Sequence, residues 1–146
     1  MTIRQQRVRK SRFMELSLMM IGVFLSVSAL FEKPPLAMEI PFDTDGVQRA
    51  VVEADSYAFI PNHLTVNAGK PVELTFKSLT WVVPHNVIID DPRSGLNIRE
   101  EIPAGGKLTM TFTPTVPGSF AIYCDKKLPF FKSHREKGQE GVLEVR

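Results

Sequence analysis

Apolar and polar residues alternate in several short runs of this chain. In residues 71–78 every second side chain is apolar, namely Val72, Leu74 and Phe76, and the side chains between them are polar. A period of two places one set of side chains on a buried face and the other toward solvent, as in a half-buried β-strand. The same alternation recurs in residues 107–113 and 118–124. These runs predict at least three amphipathic strands.

Further apolar runs are separated by turn-forming residues at intervals of about eight to twelve positions. The runs cover residues 48–54, 57–66, 80–89, 96–98 and 141–146. Seven or eight short strands with no helical periodicity between them predict an all-β fold, a Greek-key antiparallel β-sandwich. Two segments interrupt the pattern. Residues 33–46 are predicted to be a linker, and residues 125–139 to contain a helical turn or to fold against the end of the domain.

The first 37 residues have a different composition from the rest. Five basic residues precede a run of apolar residues at positions 16–31 that is interrupted by serine and glycine alone: Arg4, Arg7, Arg9, Lys10 and Arg12. This pattern is typical of a secretory signal peptide, with cleavage expected after Ala29 or Ala37. The run is also close to the length of a membrane span, so an uncleaved N-terminal anchor helix is the alternative. Both predict one domain, residues 38–146, in the periplasm or elsewhere outside the cytoplasm.

Composition and charge exclude several classes of function. From Met38 onward the chain has 12 Lys and Arg against 14 Asp and Glu, a formal net charge of −2. That balance excludes a nucleic-acid-binding surface of the usual basic kind. A single cysteine excludes an internal disulfide, a zinc site with two thiolates and a two-cysteine binuclear copper centre. The sequence also lacks a Ser/His/Asp order, a paired carboxylate motif and a phosphate-binding loop, so no enzyme activity is predicted.

The candidate chemistry lies with the single cysteine and the histidines. Cys124 ends a predicted strand, His134 follows after nine intervening residues, and His85 lies far upstream. One thiolate and two imidazoles are the ligand set of a blue-copper electron-transfer site, whereas an unligated cysteine would be exposed to oxidation outside the cytoplasm. His63 has no such neighbours and is predicted to lie at the surface.

The order and spacing of four motifs from residue 48 onward resemble the cupredoxins, the single-domain blue-copper proteins of the plastocyanin and azurin group. The motifs are Phe59-x-Pro61-x-x-Leu64-x-Val66-x-x-Gly69, Pro84-His85-Asn86-Val87, Pro117-Gly118-x-Phe120-x-x-Tyr123-Cys124 and His134-x-x-x-Gly138-Gln139-x-Gly141. The resemblance implies one copper ion per domain, cycling between Cu(I) and Cu(II) and held by His85, Cys124 and His134. It also implies that Asn86 ties the ligand loops together and that the carbonyl of Pro84 approaches the metal.

The chain departs from that pattern at two places. A plastocyanin-like loop has methionine five residues after its second histidine, where this chain has Gln139, and no methionine follows Cys124. A stellacyanin-like glutamine is therefore expected as the weak axial ligand, with a lower reduction potential than methionine would give. Glu136 and Glu140 are competing oxygen ligands. The loop between Cys124 and His134 is also longer than in small cupredoxins, and its residues 126–132 are either a docking surface or a plug.

Three functions are compatible with these residues. The first is a copper-binding electron carrier between redox protein partners, a cytochrome or a membrane oxidoreductase, with Trp81, Phe130 and Phe131 excluding water from the site. The second is a copper-dependent enzyme or copper-delivery protein in which Glu136 or Glu140 occupies an open copper position. The third is an interaction domain of the same shape without metal.

Overall fold

The computed structural model of the chain describes residues 37–146, which belong to one compact unit. Ten strands account for most of them: β1 (Ala37–Glu39), β2 (Gln48–Asp55), β3 (Ala58–Ile60), β4 (His63–Val66), β5 (Val72–Ser78), β6 (His85–Asp91), β7 (Leu96–Ile102), β8 (Lys107–Phe112), β9 (Gly118–Tyr123) and β10 (Glu140–Val145). Two 3₁₀ turns, Pro92–Ser94 and Arg135–Lys137, are the helical segments among the described residues. The predicted signal peptide or anchor helix lies outside the described residues, apart from Ala37.

The strands form two sheets that pack face to face. The larger sheet has the order β1-β4-β10-β9-β6-β7 and the smaller β3-β2-β5-β8. Alternate side chains of the strands meet between them, and Val72, Leu74 and Phe76 of β5 are fully buried, as the period of two predicts. Leu64, Ile89 and Leu143 contribute from the larger sheet. The predicted all-β sandwich is confirmed.

The sheets are mixed, which corrects the prediction of an antiparallel sandwich. β2 runs parallel to β5, and β4 runs parallel to both β1 and β10. Parallel neighbours need a crossover between them, and here the chain crosses from one sheet to the other after β3 and again after β4. Alternation along a strand reports which face is buried and carries no information about the direction of its neighbour.

Three predicted boundaries also change. The predicted strand at 80–89 begins only at His85, because residues 79–84 form a loop in which Trp81 and Val82 are 81% and 89% exposed. The predicted strand at 96–98 extends to Ile102, because β7 pairs with β6 along its whole length. The predicted linker contains β1 and the buried Ile40. The helical turn predicted between Asp125 and Gln139 is present at Arg135–Lys137. None of the helices in residues 37–146 has the length and apolar character needed to cross a membrane.

Candidate metal centre

Three neighbouring strands of the larger sheet bring the candidate ligands to one edge. β6 begins at His85, β9 ends one residue before Cys124, and β10 begins one residue after Gln139. β9 is antiparallel to both of its neighbours, so the end of β9 and the starts of β6 and β10 lie at the same edge of the sheet. His134 reaches that edge at the start of the turn Arg135–Lys137. Sheet topology therefore assembles side chains that are up to 54 positions apart in the sequence.

The ligand atoms of His85, Cys124 and His134 all lie within 4.8 Å of one another. Cys124 Sγ is 3.5 Å from His134 Nδ1, and Gln139 Oε1 is 3.0 Å from His85 Nδ1. The two imidazole rings have centroids 5.4 Å apart. Within residues 37–146, these three side chains are the group of His, Cys, Asp and Glu residues close enough to hold one metal ion. All four predicted site residues thus meet at one point.

The site is buried, and burial decides its electrostatics. His85, Cys124 and Gln139 are fully buried, and His134 is 6% exposed. Burial lowers the pKa of His85 and of His134 and raises the pKa of the Cys124 thiol, because each charged form loses solvation. Neutral imidazoles keep a lone pair free for a metal, and a cation supplies the charge that a buried thiolate needs. One soft sulfur and two nitrogens in this setting fit copper, the cofactor of cupredoxins.

A hydrogen-bonded chain of hydroxyls sets the orientation of the His85 ring. Thr80 Oγ1 lies 2.9 Å from His85 Nε2 and donates its own hydrogen to the carbonyl of Val83 at 2.9 Å. Ser78 Oγ is committed as a donor to the carbonyl of Thr80. When a metal is bound at Nδ1, the nitrogen that faces Cys124 and Gln139, the ring hydrogen lies on Nε2, and the Thr80 oxygen is placed to accept it. A partner on the remote nitrogen commonly fixes the tautomer of a metal-binding histidine.

Replacing Thr80 by valine should release that ring. We expect copper affinity to fall about 10- to 100-fold, because the valine cannot accept the Nε2 hydrogen. Proton NMR of the Cu(I)-loaded protein should show a His85 Nε2–H that exchanges slowly with solvent in the wild type and faster in the valine variant. Thr80→Ser should restore both. Thr109→Val is the matched control, because its hydroxyl bonds Thr75 on an exposed face at 2.9 Å. Unchanged affinity and unchanged Nε2–H exchange in Thr80→Val would refute this role.

Asn86 joins the two segments that carry His85 and Cys124. Its side-chain amide donates to Asp125 Oδ1 at 2.8 Å, and its carbonyl oxygen accepts from the backbone N–H of Asp125 at 3.1 Å. Its backbone N–H points at Cys124 Sγ at 3.4 Å. Arg99 contacts the second carboxylate oxygen of Asp125 at 2.7 Å. This arrangement matches the tying role that the family resemblance implies for Asn86.

The long loop behaves like a short one where it carries ligands. The N–H of His134 donates to the carbonyl of Lys126 at 2.8 Å, and the N–H of Arg135 donates to the carbonyl of Cys124 at 2.9 Å. These two bonds close the base of an excursion formed by residues 127–133, which extends away from the ligands. Of the nine residues between Cys124 and His134, only Asp125 and Lys126 lie outside that excursion. After the loop, the backbone of Gly141 packs directly on the backbone of Asn62. Glycine is needed there because a Cβ would collide with Asn62.

Four predicted residues do not take part in the ligand group. Glu136 and Glu140 are both exposed. Glu136 accepts hydrogen bonds from Ser133, and Glu140 pairs with Arg135 at 3.0 Å, so both carboxylates are bonded to residues other than the ligand group. His63 is partly buried and pairs with Glu144 at 3.0 Å. Trp81 lies in the exposed loop, against Gly105, and does not cover the ligand group.

The prediction that Phe130 and Phe131 exclude water is wrong, since both rings are exposed. The ring that packs on the His134 side of the site is Tyr57, whose centroid lies 5.0 Å from that of His134 in a T-shaped arrangement. Sequence reasoning missed Tyr57 and Thr80. Thr80, a threonine five residues before the candidate ligand His85, was visible in the sequence, but no pattern pointed to Tyr57.

Comparison of the sequence with known proteins gives a family model and two curated relatives. Residues 18–139 match the family model described as a cupredoxin-like domain. Plastocyanin of Ulva prolifera is 29% identical over 77 residues, which is 48% of this chain and 74% of the relative. Chloroplastic plastocyanin of Oryza sativa subsp. indica is 30% identical over 111 residues, 71% of this chain and slightly under two thirds (64%) of the relative.

Among solved structures, the metal-binding domain of the Cu(I)-exporting P-type ATPase CopA of Streptococcus pneumoniae D39 has a similar fold. It superposes with a TM-score of 0.60 at 20% identity and covers 77% of this chain and 97% of that domain. At that level of identity the likeness concerns the fold alone.

Proposed function

Because this chain belongs to the cupredoxin-like family, whose cofactor is copper, we propose that it is an electron-transfer protein that carries single electrons between redox partners. The observation that carries the proposal is the convergence of one thiol and two imidazoles, all buried, within 4.8 Å at one edge of the larger sheet. The plastocyanin relatives support a carrier rather than an enzyme.

The residues that would hold the ion are His85, Cys124 and His134, with the amide oxygen of Gln139 as a weaker fourth donor. Copper bound there would supply a one-electron couple between Cu(II) and Cu(I). The protein's own contribution is a rigid setting. The Thr80 hydroxyl holds His85, the Asn86 amide holds the start of the ligand loop, and the backbone bonds from His134 and Arg135 close that loop. Ligands that keep their positions need little rearrangement when the charge of the site changes.

The proposal includes an extracytoplasmic location. The basic start and the apolar run at residues 16–31 support either a cleaved signal peptide or a membrane tether. Mass spectrometry of the protein from fractionated cells tests this part. A periplasmic form that begins after Ala29 or Ala37 indicates cleavage, and a full-length form in the membrane fraction indicates an anchor.

Copper titration tests the electron-carrier proposal. We expect one equivalent of Cu(II) to produce an intense visible thiolate charge-transfer band and an electron paramagnetic resonance signal with the narrow copper hyperfine splitting of a covalent thiolate site. Reduction should bleach the band and reoxidation should restore it. A weakly coloured species with an exchangeable water would contradict the proposal and favour a copper-dependent enzyme.

Copper delivery is the second candidate, and the fold shared with an exporter domain is the observation that favours it. It predicts stoichiometric Cu(I) binding with transfer to an acceptor and no stable coloured Cu(II) form. The version with Glu136 or Glu140 at an open position has little support, because both carboxylates are exposed and bonded to other residues.

A further inference from the structure

The outward excursion at residues 127–133 presents apolar side chains to solvent. Phe130 is 104% exposed, Leu128 65% and Phe131 64%. Large apolar side chains grouped together on a protein surface mark interaction sites, whereas single scattered ones are common. This group, Leu128, Phe130 and Phe131, is called the apolar tip below.

The backbone of the tip shows that Phe130 is not there for local structure. The N–H of Phe131 donates to the carbonyl of Leu128 at 3.1 Å, which closes a four-residue turn with Pro129 second and Phe130 third. Phe130 has a φ of 67°, in the left-handed region. The third position of a proline-led turn with positive φ normally holds glycine, because a bulky side chain is strained there. The chain thus accepts two unfavourable terms, a strained backbone and an exposed ring, at the same residue.

The tip adjoins the ligand group. Its base is the bond from His134 to Lys126, and on the other side of the group Thr80 connects His85 to the exposed loop with Trp81 and Val82. Both exposed apolar segments therefore leave the sheet at the edge where the ligands converge. A protein docked on them would lie at the edge where the ligands converge.

The charge around the tip is opposite in sign to that of the domain. Residues 126–137 hold five Lys and Arg and one Glu, although the chain from Met38 onward carries a net charge of −2. Lys126 pairs with Glu101. Lys127 and Lys132, which flank the tip, have no ion pair within the described residues. A basic rim around an apolar centre is complementary to an apolar patch with an acidic rim.

We propose that the apolar tip with Lys127 and Lys132 is the docking surface for an acidic redox protein, an inference that rests on the proposed function. The apolar side chains enter a patch on the partner, and the lysines steer the encounter. A lipid surface also suits aromatic rings beside lysines. The position of the tip at the ligand edge favours a protein, because electron exchange needs the partner at that edge and membrane attachment does not.

Stopped-flow kinetics with two c-type cytochromes, one of net negative and one of net positive charge, test the docking surface on the copper-loaded protein. Phe130→Gly removes the ring, and glycine adopts the positive φ without strain. We therefore expect this variant to have the visible spectrum of the wild type and a free energy of unfolding at least as large. Its rate constant with the acidic cytochrome should fall about tenfold. For the double variant Lys127→Glu/Lys132→Glu, the rate constant with the acidic cytochrome should fall further at low salt and approach the wild-type value at high salt. Lys70→Glu, at the opposite end of the domain, should change nothing.

The outcomes separate the two proposals. If the wild type exchanges electrons and all variants match it, the docking surface is refuted and the electron-carrier function stands. If the wild type exchanges electrons with neither cytochrome and shows no reversible couple by voltammetry, both proposals fail. Co-sedimentation with vesicles of phosphatidylcholine and phosphatidylserine is the remaining measurement. Vesicle binding that is lost in Phe130→Gly, with unchanged electron-exchange rates, would assign the tip to a membrane and overturn the protein partner.

Discussion

Replacing Cys124 by alanine is expected to abolish the visible thiolate band of the copper-loaded protein and to lower its affinity for Cu(II) by at least about 100-fold. The thiolate is the soft, charged member of the candidate ligand set, and its sulfur lies 3.5 Å from His134 Nδ1. Removal would leave two imidazoles and an amide oxygen, which bind copper without thiolate charge transfer. Visible spectroscopy and copper titration measure both effects.

The fold should survive that change. Cys124 is fully buried but small, so a cavity of one sulfur atom costs about 1 kcal/mol of unfolding free energy. Cys124→Ser is the isosteric control: it should retain the circular dichroism spectrum of the wild type and also lack the band. A band that persists in either variant would mean that another group binds the copper, and a loss of folded structure in both would make Cys124 a packing residue.

Gln139→Met should raise the reduction potential of the copper-loaded protein by about 60 mV or more, a tenfold shift in a one-electron equilibrium. An amide oxygen is a harder donor than a thioether and favours Cu(II) over Cu(I). Gln139 Oε1 lies 3.0 Å from His85 Nδ1, among the candidate ligand atoms, whereas the amide nitrogen faces the carbonyls of Asp55 and Ala58 at 3.4 and 3.5 Å. Voltammetry measures the potential directly.

Glu140→Met provides the matched comparison, because it introduces the same side chain one position away, at an exposed residue. Its potential should stay at the wild-type value. If Gln139→Met also leaves the potential unchanged, Gln139 is not axial, and the carbonyl of Pro84 becomes the axial donor to test. The electron paramagnetic resonance spectrum should change with the potential, since both depend on the strength of the axial bond.

Local patterns were sufficient for the three amphipathic strands and for the choice of site residues. β5, β8 and β9 were predicted within one residue at each end, because alternation of apolar and polar side chains directly reflects a sheet with one buried face. The four site residues were recognised from short motifs in a fixed order. The structure then brings them to one edge, although copper binding by these residues stays a prediction until the titration is done.

Other features depend on contacts between distant parts of the chain. Parallel pairing of β2 with β5 leaves no local trace, because side chains alternate in the same way beside a parallel or an antiparallel neighbour. The apolar run at 80–84 looked like a strand, yet its residues have no sheet partner and form the exposed loop with Trp81. Burial of an aromatic ring is a property of what surrounds it, and the sequence of its own segment does not contain that information.

The amino-acid sequence by itself determined the class of fold, the order of the strands along the chain and the identity of a sulfur and two nitrogens suited to copper, because each depends on residue type and local spacing. Only the tertiary structure decided which side chains orient those atoms. The hydroxyl of Thr80 behind His85, the ring of Tyr57 against His134 and the seven-residue excursion that holds Phe130 in solvent all arise from how separate segments meet. Such meetings are set by sheet register and loop closure, which act over distances that sequence patterns do not span.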